Sequence, residues 1–145
     1  LYNRGILLSG TGRAAERAEQ DFREAIALLE PLAGTNSQAA QELARAYNNL
    51  GSLLALSPGR DADAQRLWEQ AIAIDERLLA GEPGNREYSF ELATYLGNLA
   101  ALLHERGDTV GAERRSAQML ALMDALAKVA PSLAVARADA HSVRG

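Results

Sequence analysis

Three asparagines, Asn3, Asn49 and Asn98, recur 46 and 49 residues apart in a chain of 145. An asparagine amide holds both a donor and an acceptor, so it can pair with the N–H and C=O of one peptide group. Three such amides in a row could grip an extended chain by its backbone, whatever its side chains. The same amides could instead hold local structure by bonding nearby backbone. Both readings stay open from the residues alone.

Other residue groups that could carry chemistry do not reach the required pattern. His104-Glu105 opens like a zinc helix, but no second histidine follows four residues later and His141 is distant. Gly10-Thr11-Gly12 lacks the preceding strand and third glycine of a dinucleotide loop. Arg106-Gly107-Asp108 spells an adhesion tripeptide where a turn is expected. Asp75-Glu76-Arg77 and Glu113-Arg114-Arg115 read as solvated helix faces. No nucleophile with a base and no acidic pair stands in a catalytic setting. The expectation is a non-enzymatic chain without metal or cofactor.

Composition narrows the class further. Apolar residues make up 48% and charged residues 23%, as in ordinary folded domains. The net charge of -4, with no basic cluster, argues against a nucleic-acid surface. No apolar run of 18 residues suggests a membrane span, and the start lacks the pattern of a signal peptide. Absence of cysteine removes disulfides and thiolate metal sites and fits a reducing cytoplasm. The opening Leu1-Tyr2-Asn3 reads as the middle of a helix, as in a fragment of a longer protein.

The asparagines belong to a longer repeat that must position them. A shift of 46 superposes Gly5 on Gly51, Ala18 on Ala64, Phe22 on Trp68, Ala25 on Ala71 and Ile26 on Ile72. A third copy follows at 48 to 49: Asn98-Leu99-Ala100 answers Asn49-Leu50-Gly51, and Ala112 answers Ala64. There Ser116 replaces Trp68 and Met119 replaces Ala71. Such periods signal stacked helical units. In residues 61–80, Ala64, Leu67, Trp68, Ala71, Ile72, Leu78 and Leu79 form one helical stripe, with Asp61 as its expected N-cap. Leu43, Ala44, Tyr47, Leu50, Leu53 and Leu54 form another. Breaks are expected at 9–12, 57–59, 81–84, 106–108 and 130–132. No segment alternates with period two.

The spacing predicts seven helices, near 1–9, 13–33, 37–56, 61–80, 85–106, 109–129 and 132–143. They form one all-α domain over 1–145: an α-solenoid of three hairpins (about 1–33, 37–80 and 85–129) plus a C-terminal capping helix. Gly51 and Ala64 are expected where two helices cross closely, with Trp68 and Phe22 filling the gap between hairpins.

Tyr47, Leu50-Gly51, Ala64, Trp68 and Ala71 resemble the tetratricopeptide repeat family, with one extra residue in the turn. The units are longer than that family's usual 34 residues. In this they are similar to kinesin light-chain repeats, and more so to arrays that follow kinase or NTPase domains in large bacterial signalling proteins. The resemblance implies a cytoplasmic, non-catalytic module that binds a protein or peptide segment in a concave groove lined by the first helix of each hairpin. Residue by residue it assigns Tyr2 and Asn3, then Arg45, Asn48, Asn49 and Ser52, then Asn98 and His104, to that groove. A rival expectation is a structural or regulatory unit of a larger signalling enzyme, self-associating as a homodimer through Ile6, Leu7 and Leu8 of the N-terminal hairpin.

Overall fold

A computed structural model describes the backbone of residues 2–144 and the side chains of residues 12–128. Five helices follow in order: α1 (Tyr2–Ala33), α2 (Ser37–Ala55), α3 (Asp61–Gly81), α4 (Arg86–Glu105) and α5 (Thr109–Arg144). No strand occurs among the described residues. Each helix packs on the next, and α2 also touches α4. That order of neighbours makes an all-α solenoid.

The repeat is legible in how the helices begin and end. Asn36 caps α2 by accepting from Ala39 N at 3.1 Å, and Asn85 caps α4 by accepting from Tyr88 N at 3.0 Å. Each satisfies an otherwise orphaned amide of the first turn. Gly59 and Gly107 close the turns after α2 and α4 with φ of 79° and 83°, which glycine alone adopts cheaply. Arginines in the same turns clamp backwards. Arg60 donates to both carboxylate oxygens of Glu19 on α1, at 2.8 and 3.2 Å. Arg106 donates to Gln65 Oε1 on α3 at 2.9 Å.

Two expected breaks are absent. The backbone is helical through residues 9–12, so the expected first hairpin is the single helix α1. Gly10 and Gly12 each cost a helix about 1 kcal/mol, but that turn has no proline to enforce a stop, unlike Ser57-Pro58-Gly59. The backbone is also helical through residues 130–132, so the expected cap at 132–143 is continuous with α5. Pro131 disfavours a helix interior by about 3 kcal/mol, and the alanine- and leucine-rich flanks offset this. The solenoid is therefore one long helix followed by two hairpins, α2/α3 and α4/α5. The side chains of Ile6, Leu7 and Leu8, and of the weak stripe Leu133, Ala136, Ala140 and Val143, lie outside the described residues.

The core runs along α2, α3 and α4. Leu50, Leu54, Ala64, Trp68, Ala71, Leu96 and Leu99 are buried, as the stripes require. Asp61 does not cap α3; it is the first helical residue, and Arg60 precedes it without a side-chain cap bond. Asp61 and Asp63 still favour the helix, since negative charge in a first turn complements its dipole. The contact at Gly51 is ring against backbone. A Cβ there would lie 3.2 Å from Cε2 and Nε1 of Trp68. Trp68 thus fills space at the crossing within its own hairpin, and it shares one buried cluster with Leu96 and Leu99 of the next.

Candidate functional site

Asn48, on α2, stands outside the repeating trio Asn3, Asn49 and Asn98 but bonds one of its members. Its Oδ1 accepts from Trp68 Nε1 on α3 and from Asn98 Nδ2 on α4, both at 2.9 Å. Two lone pairs thereby tie three helices together. Asn98 spends one N–H on this bond, which leaves its other N–H and its carbonyl oxygen without a hydrogen bond among the described residues. Asn49, the repeat counterpart of Asn98, is exposed, as are Ser52 and His104. The side chains of Tyr2 and Asn3 lie outside the described residues.

Arg45 is engaged inside the fold. Its Nε donates to Glu91 Oε1 at 2.9 Å and its Nη2 reaches the same oxygen at 2.5 Å. Nη1 donates to Glu42 at 2.9 Å and Nη2 to Glu87 at 2.6 Å. The bonds to Glu91 raise its pKa above the ordinary arginine value despite partial burial. This guanidinium joins α2 to α4, and three carboxylates already neutralise it.

Beneath Arg45 lies a buried polar group that the sequence pattern did not reveal. Asp75, expected on a solvated face, is wholly buried (0% exposed). Both its carboxylate oxygens, Glu91 Oε2 and Tyr95 Oη are buried without a hydrogen-bond partner. Burial, then repulsion from Glu91, pushes the Asp75 carboxyl up to about 7, against the pull of Arg45. Burial also pushes the Tyr95 hydroxyl up. A signal was present: Asp75 stands three residues past Ile72, in step with Trp68 and Ala71, where the stripe demands an inward side chain. Its charged neighbours Glu76 and Arg77 masked the register.

The open side of the last hairpin carries an apolar channel of about 440 Å³ between α4 and α5. Phe90, Ala93, Thr94, Gly97 and Asn98 line one wall, and Met119, Met123 and Leu126 the other. Phe90 is 67% exposed and Met123 51%. A neighbouring hollow continues along the same two helices past Ala101 and His104. Of the predicted groove residues, Asn98 and His104 therefore border this face, Asn49 and Ser52 lie exposed on α2, and Asn48 and Arg45 serve the packing. Phe90, Met119 and Met123 were missed because the third copy departs from the repeat pattern at Ser116 and Met119.

Among the described residues, no group of three or more histidine, aspartate or glutamate side chains could hold a metal ion. None of the described helices is long and apolar enough to cross a membrane. No curated protein and no solved structure matches the chain. One family model does match, over residues 43–81, which is most of the α2/α3 hairpin; its description is tetratricopeptide repeat. Repeats of this kind generally mediate protein–protein interaction and are typically non-catalytic. The α2/α3 hairpin is thus supported as a repeat of the tetratricopeptide type.

Proposed function

We propose that this chain is a protein-interaction module and that the α4/α5 channel is where its partner docks. The observation that carries this reading is the pairing of Phe90 and Met123, two large apolar side chains exposed on opposite walls of one channel. Contiguous apolar surface on a folded chain marks an interaction site. The occupant that fits is an amphipathic helix, because the preceding hairpin is itself covered by a helix, α4. Asn98 would offer its spare N–H and carbonyl to the ligand at the channel edge. Exposed Asn49 and Ser52 would extend polar contact along α2. In a bacterial signalling protein, the setting that the long units resemble, such a module would recruit a partner to a neighbouring enzyme domain.

The test is a helical-peptide library selected on the folded chain, with binders remeasured on F90D, M123E and N49A/N98A. Both channel positions are exposed, so stability should stay within about 0.5 kcal/mol. The channel reading expects at least tenfold weaker binding for F90D and M123E. Equal affinity with intact helicity removes the channel; equal affinity for N49A/N98A removes the asparagine contacts.

A second reading rests on α1, where Leu28 and Leu32 are 74% and 53% exposed. Two copies pairing through that face would form a homodimer. Light scattering should then report a dimer that L28E/L32E dissolves, and a monomer at high concentration dismisses it.

A further inference from the structure

We propose that the junction of α3 with α4 is a proton-operated joint: Asp75 holds a proton while α4 is seated, and losing it loosens α4 from the α2/α3 hairpin. Asp75 stands in the buried stripe of α3 with no protein partner on either oxygen. Facing it from α4 are Glu91 and Tyr95, with Tyr88 also within its field. From α2 the facing charge is Arg45. Among the described residues, no charged group of α1 or α5 acts on Asp75.

The charge inventory decides which form is buried. Arg45 already serves Glu42, Glu87 and Glu91. An ionised Asp75 would add a further carboxylate beside Glu91 with no cation of its own, in a site without water's screening. A protonated Asp75 instead gains a donor, and Glu91 Oε2 and Tyr95 Oη are buried acceptors on the facing helix still lacking a partner.

The direction with pH follows from the raised carboxyl. Asp75 ionises near 3.8 in an unfolded chain and near 7 when buried. Below about pH 4 both states hold the proton and the joint is at full strength. As pH rises toward 7 only the unseated state releases it, and above 7 the loss levels off. The separation corresponds to about a thousandfold change in the opening equilibrium. Glu19 acts oppositely, because its hydrogen bonds from Arg60 lower its pKa and its contribution is lost only as pH falls below the usual carboxylate range.

Amide hydrogen exchange of the whole chain, corrected for intrinsic rates and followed from pH 5 to 8.5, tests the joint. In the wild type, peptides of α4 should lose protection across pH 5–7 ahead of those in the first half of α2. In D75N that pH dependence should vanish. E91Q should move the transition to lower pH, since it removes the repelling charge and frees Arg45 for Asp75. Equal pH dependence in wild type and D75N, or uniform loss of protection along the chain, overturns the proposal. If D75N fails to fold, an unchanged transition in E91Q overturns it equally.

Discussion

The Cβ that Gly97 lacks would lie 2.9 Å from Sδ of Met119, one helical turn away from where the repeat places its counterpart pair, Gly51 and Trp68. In the third unit Ala100 and Ser116 occupy those two positions. The glycine has moved three residues back on α4 and the bulky side chain three residues on along α5. Because the helices run antiparallel, the two shifts keep glycine and bulk opposite each other. The degraded third copy thus preserves the packing rule while altering both residues that embody it.

The two contacts should respond differently to one methyl group. Alanine gains about 1 kcal/mol over glycine in a helix interior. At position 51 that methyl meets a rigid indole, and overpacking costs about 1–3 kcal/mol. At position 97 it meets a thioether that can turn aside. Urea unfolding followed by fluorescence of the single tryptophan should therefore show G51A less stable than wild type and G97A equal or better. The reverse order would contradict this packing.

That pair also marks where sequence reasoning reached and where it stopped. The stripe through Tyr47, Leu50, Ala64 and Trp68 predicted the buried face of α2/α3, since periodicity alone sets which side turns inward. Hydrogen-bond partners do not follow from periodicity. Asn48 and Asn49 are adjacent and identical in type, yet one is the node of three helices and the other is exposed. Arg45 looked like a groove cation, because its neutralising Glu87 and Glu91 lie on another helix. Gly10 and Pro131 read as stops, because their local cost is visible while the helix formers around them act only in sum.

Asn48 supplies the next expectation. N48A removes the acceptor of Trp68 Nε1 and of Asn98 Nδ2 at once, leaving a buried indole N–H unpaired. The cost should be about 1–3 kcal/mol. N98A removes only one bond at a half-buried position and should cost under about 1 kcal/mol. A double-mutant cycle on 48 and 98 should show a coupling of about 0.5 kcal/mol or more; additive losses would mean that the bond contributes nothing.

Arg45 and Arg60, the interhelical arginines paired with carboxylates, should separate by the burial of those carboxylates. R45A leaves the largely buried Glu91 carboxylate with only the hydrogen bond from Gln41, and the loss should be about 1–3 kcal/mol. R45K should recover little, because an ammonium cannot present the planar fork. R60A removes a pair whose carboxylate, Glu19, is more open to solvent than Glu91 and keeps Arg23 beside it, so it should cost less than R45A, and less still in high salt. Equal losses at 45 and 60, by urea unfolding at low salt, would contradict the burial argument.

The chain has two methionines, Met119 and Met123, and both line the α4/α5 channel. A chain labelled at the methionine methyls therefore gives two NMR signals, each a reporter on the proposed docking face. Titrated with a helical peptide selected for binding, both signals should shift in proportion to occupancy, and M123E should abolish binding. A peptide that binds the folded chain while leaving both methyl signals unmoved would contradict the account.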